Sequence, residues 1–330
     1  MQIVINKFGS SLTLKDGLFV VKSEDESHSF AVSKVNSIVL SKGVRVSTDA
    51  LMLAVENEID VSLVGRSGHP VGKIWSNKYG SISTIRKQQL AFSQCDDAKV
   101  WVFELIRQKI SNQTALLFTI CGFDASQQQA VNRYISDIER TLNRFKMKED
   151  ESNDQFYKRL RGVEGVCSRY YFEAINLFLP FHFQFTERTQ HPAQDMFNCL
   201  LNYAYGMLYG KVEGALIRAG LDPYVGMMHR DEYNKPVLSY DFIEYYRIWA
   251  DYVVVFLCVQ EVIFREFFDY EQGAMYLNEN GKRILILAFN DYLTEIVPIK
   301  GVERSRETHI FLCAQDFAQE MKKRKITETK

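Results

Sequence analysis

The seven residues NKYGSIS, Asn77 to Ser83, divide this chain of 330 residues. They are polar and hold a glycine, and the spacing of apolar residues changes across them. On the N-terminal side, QIVIN, SLTLKDGLFVVKS, HSFAVSKVNSIVLS, DVSLVG and GHPVGKIW are short and rich in Val and Ile. Several alternate apolar with polar residues, as half-buried strands do. Asp16-Gly17 is a hairpin-turn dipeptide. One helix interrupts, STDALMLAVENEI, with Ser47, Thr48 or Asp49 as its N-cap. On the C-terminal side, KVWVFELIRQKI, QAVNRYISDIERTLNRFK, NCLLNYAYGMLYGKVEGALIRAG and DFIEYYRIWADYVVVFLCVQEVIFREFF repeat at three and four residues. The expected fold class is α+β: a small mostly-β domain over 1–78, a linker over 79–84, and a larger all-α domain over 85–330. A turn or short hairpin is expected around Asn280-Gly281.

Composition narrows the class. Hydrophobic residues make up 46% and charged residues 25%, ordinary for a soluble globular protein. The formal net charge of −1 weighs mildly against nucleic acid as a ligand, although a local basic face is compatible with a neutral whole. Cys95, Cys121, Cys167, Cys199, Cys258 and Cys313 are scattered with no C-x-x-C pair, as expected for free thiols in a reducing compartment. The first residues show no signal pattern, and the apolar run YVVVFLCV falls far short of the roughly 20 residues a bilayer span needs. These features predict a cytoplasmic protein without a membrane segment. The tail MKKRKITETK is expected to be a solvated helix end, with DNA contact as its alternative.

Three segments of the helical half carry chemistry. In RGVEGVCSRYYF, Glu164 lies between Gly162 and Gly165. Glycine costs a helix about 1 kcal/mol relative to alanine, so the pair marks either a flexible helix start or close approach by a backbone or ligand. In GLDPYVGMMHR, Gly220 suits a helix C-cap, Pro223 forces a turn and Gly226 permits a tight step before His229. In LSYDFIEYYR, Asp241 and Glu244 share a helical face, with Arg247 three residues on. That pattern fits a capping box or a carboxylate pair held by an arginine. Two glutamates, an aspartate and a histidine suit a hard divalent cation, and imidazole favours Mn2+ over Mg2+. Such an ion is what phosphodiester cleavage or transfer uses.

These segments, in order, resemble the CRISPR-associated spacer-acquisition integrase, the first of the Cas proteins. ELIRQKISNQTALL is similar to that family's R-x-K-I-x-N-Q helix, and GVEGVCSRYYF to its E-G…Y-F motif. HPAQDMFNCLLNYAYGMLY, AGLDPYVGMMH and LSYDFIEYYR match its P-x-x-D-x-x-N-x-L-L-N-Y-x-Y, G-L-D-P-x-x-G-x-x-H and L-x-x-D-x-x-E-x-x-R patterns. The resemblance implies that Glu164, His229 and Glu244 are metal ligands, with Asp241 and Arg247 beside them. It implies Mg2+ or Mn2+ as cofactor and action on double-stranded DNA, joining a captured fragment to a CRISPR repeat. It also implies a homodimer formed through the β-domain, and a small ferredoxin-like CRISPR-associated partner subunit. The chain departs from the family pattern at Thr189-Gln190-His191, at Ala193 and at Tyr245.

The expected activity is that of a divalent-metal-dependent DNA endonuclease and integrase. A 3′-hydroxyl attacks the scissile phosphate, and water in its place gives cleavage. No protein nucleophile is needed, in keeping with the lack of a Ser-His-Asp or Cys-His signature. Arg161, Arg169, Arg188, Arg230 and Arg247 are candidate phosphate contacts, each with a surface salt bridge as its alternative. A non-catalytic DNA-binding or assembly subunit and a metal-dependent small phosphoesterase are the rival readings.

Overall fold

The structure, a computed structural model, describes residues 1–24, 26–76, 83–121, 125–148, 151–190, 192–229 and 235–324. The expected linker lies largely outside the described residues, as do Arg230, His191 and the tail from Lys325.

The β-rich half forms two four-stranded sheets. Strands β1 (Gln2–Ile5), β5 (Ser37–Ser41) and β7 (Asp60–Val64) pair in parallel, and β8 (Pro70–Ile74) pairs antiparallel to β7. The second sheet runs β4 (Ser27–Ala31), β3 (Leu18–Lys22), β2 (Ser11–Lys15), β6 (Arg45–Val46). Asp16 and Gly17 both have positive φ, 51° and 72°, which makes the two-residue β2–β3 turn that the D-G pair predicts. Helix α1 (Thr48–Glu56) is capped by Ser47, whose side chain accepts from the Ala50 amide. Its Ala50 and Ala54 join Leu12, Phe19, Ile38 and Val61 in a core separate from that of the helices.

The helical half comprises α2 (Ser83–Gln94), α3 (Asp96–Cys121), α4 (Ala125–Arg144), α5 (Asn153–Asn176), α6 (Met196–Arg218), α7 (Val237–Ile243), α8 (Arg247–Val259), α9 (Glu279–Thr294) and α10 (Arg306–Lys323). Helix α6 buries side chains on nearly every face, as a helix apolar all round must, and packs against α7, α8 and α10. This half is not purely helical as expected. Hairpins β9–β10 (Phe268–Glu271, Ala274–Leu277) and β11–β12 (Ile296–Ile299, Val302–Ser305) interrupt it. Each turns on a two-residue loop with positive φ, at Gln272-Gly273 and Lys300-Gly301. The expected turn at Asn280-Gly281 is instead the start of α9: Asn278 caps the helix and accepts from the Gly281 amide. At the far end Arg324 is anchored, pairing with Asp97 at 2.8 Å and lying over the Phe92 ring.

The β7–β8 turn rests on α6. A Cβ on Gly206 would lie 2.8 Å from the carbonyl carbon and oxygen of Gly68. Lys73 donates to the Gly210 carbonyl at 2.7 Å, and Asp60 and Glu213 flank its ammonium. Gly206→Ala is therefore expected to cost about 1–3 kcal/mol, because backbone must move to admit the methyl. Gly210→Ala meets only an ordinary 3.6 Å contact and should gain up to about 1 kcal/mol of helix propensity. Urea melts of the two variants test this. Equal midpoints would mean that the turn does not seat on α6 as described.

Candidate active site

Glu164 stands in the interior of α5, not at a helix start. Ser152 caps that helix well upstream. A Cβ on Gly162 or Gly165 would meet nothing within 4 Å, so neither glycine admits a protein backbone. Gly165 instead keeps open one wall of a cleft of about 520 Å³ that Glu164, His229, Glu244, Arg188 and Arg247 also line. A larger groove of about 770 Å³, lined by Trp101, Tyr245, Trp249 and other aromatic rings, contains Arg161, Glu164, His229 and Arg247 nowhere in its walls.

The loop to His229 is set by its punctuation and by one buried carboxylate. Gly220, at φ +84°, ends α6. Gly226 is packed so closely that a Cβ would lie 2.4 Å from the His229 carbonyl oxygen. Asp241, fully buried, accepts from the backbone amides of Met227 (2.6 Å), Met228 (3.2 Å) and His229 (3.2 Å). It also lies 2.7 Å from His229 Nδ1. A carboxylate only accepts, so Nδ1 carries the hydrogen, and in the neutral ring Nε2 keeps its lone pair. Burial opposes charge on this ring, but Asp241 and then Glu244 outweigh it and raise its pKa. The D-x-x-E pattern is thus no capping box: α7 begins at Val237, and Asp241 organises a loop rather than a helix end.

Glu244, at the end of α7, points at cations. Arg247 Nε donates to its Oε1 at 2.7 Å, and Lys109 Nζ lies 2.5 Å from its Oε2. The same ammonium donates to Glu164 Oε1 at 2.5 Å, which also accepts from Ser168 Oγ at 2.8 Å. Burial would push the Glu244 carboxyl up, but Arg247 and Lys109 outweigh it and hold the pKa at about 2. Burial likewise disfavours the Lys109 ammonium, yet Glu244 and Glu164 raise its pKa overall. Arg247 is fixed from behind: Nη2 donates to Tyr209 Oη at 2.9 Å, and the guanidinium lies 4.6 Å from the Tyr205 ring centre. Tyr205 and Tyr171 both donate to the buried Asp251, at 2.6 and 2.9 Å.

The candidate arginines differ in kind. Arg169 makes the surface pair, 3.8 Å from Glu173. Arg161 lines the cleft and reaches the Met228 carbonyl at 3.5 Å. Arg247 forms a buried ion pair. Arg188 has no carboxylate within ion-pair distance among the described residues. Its guanidinium is held by the side-chain oxygens of Asn198 (2.5 Å) and Asn202 (2.6 Å) and by the Thr189 carbonyl (2.6 Å). The guanidinium also lies 5.6 Å from the Tyr205 ring centre, and burial lowers its pKa.

Ser168, Tyr209 and Asp251 were not singled out in the sequence, and Lys109 stood in the R-x-K-I-x-N-Q pattern with no role assigned to it. Lys109 carried a signal: it shares the apolar face of α3 with Val102, Leu105, Ile106 and Gln113. A charge on such a face demands a buried partner. Among the described residues no three His, Cys, Asp or Glu side chains are gathered closely enough to hold a metal ion as they stand. The donor types nevertheless fit one. Two carboxylates already share a cation, Nε2 of His229 keeps a lone pair in the neutral ring, and buried Glu244 Oε2 makes no aligned hydrogen bond although the Lys109 ammonium lies 2.5 Å away.

The described helices include none long and apolar enough to cross a membrane. Over 328 residues the chain is 27% identical to the CRISPR-associated endonuclease Cas1 1 of Archaeoglobus fulgidus, covering 96% of this chain and 95% of that one. It is 27% identical over 299 residues to a CRISPR-associated endonuclease Cas1 of Thermus thermophilus, covering 89% and 87% of the two chains. Its fold is similar to that of a casposase bound to its integration product, with TM-score 0.83, 20% identity and coverage of 99% and 92%. It is likewise similar to a Cas1 protein from Thermotoga maritima, with TM-score 0.80, 18% identity and full coverage of both chains. The family model described as CRISPR associated protein Cas1 matches residues 3–291, most of the sequence and all of the cleft, and the chain belongs to that family.

Proposed function

We propose that this protein is a divalent-metal-dependent DNA endonuclease and integrase that inserts captured DNA into a CRISPR array. The observation that carries this reading is the convergence of Glu164 and Glu244, from separate helices, on one cation in a cleft shared with His229. Glu164, Glu244 and His229 Nε2 would hold Mg2+ or Mn2+. When bound, that ion would polarise the scissile phosphate and neutralise charge that develops in the transition state. Asp241 keeps the hydrogen on Nδ1, so Nε2 is the nitrogen offered. Arg188, without a carboxylate partner among the described residues, and Arg161 line the same cleft and would hold phosphate oxygens. The 3′-hydroxyl oxygen of the fragment forms the new bond to phosphorus. The bond from phosphorus to the repeat strand's 3′ oxygen breaks, and the proton count is unchanged. One phosphodiester replaces another, so no external energy source is required. The solved complex of Cas6-RT-Cas1 with Cas2 supports a second CRISPR-associated subunit as partner, and the casposase bound to its integration product supports DNA. A ferredoxin-like fold for that subunit and homodimerisation through the β-rich half complete the proposed assembly.

His229→Ala and Glu164→Ala are each expected to reduce strand joining by about 100-fold or more. The assay incubates the protein and its small partner with Mn2+, a fragment bearing a 3′-hydroxyl and a plasmid-borne array. Full activity in either variant, with folding intact, overturns the assignment. The rival reading, a non-catalytic assembly subunit, draws on the same Lys109 contact, since the carboxylates already have a counter-ion. Calorimetric titration separates the two: a scaffold shows no stoichiometric Mn2+ site.

A further inference from the structure

The two glutamates are bridged by a residue that the proposed chemistry does not use. Lys109 reaches the cleft from α3, Glu164 from α5, and Glu244 from the α7–α8 junction. Its side chain is 8% exposed, and both of its ionic partners are these glutamates. We propose that Lys109 is a built-in counter-cation, which holds Glu164 and Glu244 together in the metal-free protein and surrenders them when a divalent ion binds. This rests on the reading of the two glutamates as metal ligands.

Charge counting supports it. Glu164, Glu244, Lys109 and Arg247 sum to zero as they stand. A divalent ion on the same oxygens would bring that sum to +2, and departure of one resident cation would lower it to +1, so the charge balance favours release of one of them. Arg247 is tied on its other side by the Tyr209 hydroxyl and the Tyr205 ring. Among the described residues Lys109 has no such second anchor, and its ammonium is a point charge on a flexible stem. Two oxygens mark the exchange. Glu244 Oε2 is buried and close to the ammonium, yet makes no aligned hydrogen bond with it. Gln113 Oε1, one turn further along α3 and lining the same cleft, is buried without a hydrogen-bond partner. The first is open to a better-placed cation, and the second is an acceptor near which a displaced ammonium can settle.

The test uses the full-length protein as wild type, Lys109→Met, Glu244→Gln and the double variant Lys109→Met/Glu164→Gln. Mn2+ affinity is read by calorimetry and electron paramagnetic resonance, and thermal melting is read in EDTA. A charge at this distance shifts an ionic equilibrium by about one to three decades, so Lys109→Met should bind Mn2+ about tenfold tighter than wild type, or more. In EDTA the same variant should melt lower, because the partly buried Glu164 and the buried Glu244 then have no cation between them. Glu164→Gln in the same chain should bring the melt back toward wild type. Unchanged or weaker Mn2+ binding by Lys109→Met, or no recovery in the double variant, overturns the proposal. That holds even for a Lys109→Met chain that does not fold alone. Loss of Mn2+ binding in Glu244→Gln keeps the ligand reading intact while Lys109 fails. Mn2+ binding by Glu244→Gln at wild-type strength removes the ligand reading instead. If no variant, and not the wild type, takes up Mn2+, both fall together.

Discussion

Asp241→Ala is expected to lower stability by about 3–5 kcal/mol and to abolish strand joining. The carboxylate is fully buried and serves three consecutive backbone amides together with His229 Nδ1. Alanine removes every acceptor and leaves four buried or half-buried donors with none. Each unsatisfied donor costs about 1–3 kcal/mol, and water entering the site recovers part of that. The loop from Met227 to His229 then loses the group that folds it, and the imidazole loses its orientation. Asp241→Asn keeps the shape but turns one accepting position into a donor, so it should fall between. Urea midpoints and the joining assay read the two effects separately. An Asp241→Ala protein with wild-type midpoint and activity would falsify the role assigned to this residue.

Glu244→Gln should reduce joining by about 1,000-fold, and it carries a pH signature. Glutamine keeps the volume while leaving Lys109 and Arg247 buried with only Glu164 between them. The wild-type carboxyl is held at about 2, against an ordinary value of 4.5. A depressed acid contributes stability that is fully present above the unfolded value and is lost as pH falls toward the folded value. The wild type should therefore exceed Glu244→Gln by on the order of 3 kcal/mol near pH 5 and above, at low salt. That gap should close as pH falls from about 4.5 to about 2. Urea melts of both proteins across this range measure it. A gap that stays constant down to pH 2 would show that Arg247 and Lys109 do not hold the carboxylate in its charged form.

Much of the architecture was legible in the order of residues. Runs of Leu and Val on either side of a D-G dipeptide dictated the β2–β3 hairpin, and of the three N-cap candidates Ser47 is the one that starts α1. Where local patterns misled, a competing local signal explains why. An N-G pair reads as a turn, but Asn278 two residues earlier is a stronger helix cap, and the turn formed at Gln272-Gly273. Gly162 and Gly165 read as a helix start because glycine is costly in helices. The tertiary packing of α5 overrides that cost.

By itself the sequence determined which residue types were available for chemistry, and its ordered motifs singled out Glu164, His229, Asp241, Glu244 and Arg247. Only the tertiary structure decided what each one touches. Asp241 was free to be a cap, a ligand or a loop organiser until the backbone of 227–229 wrapped around it. Lys109 was one charged residue on a helix until α5 and the α7–α8 junction brought two carboxylates to its ammonium. The physical reason is range. Propensity, capping and turn chemistry act over a few residues and are written locally. A buried charge is defined by partners distant in the chain, and folding alone brings those within reach.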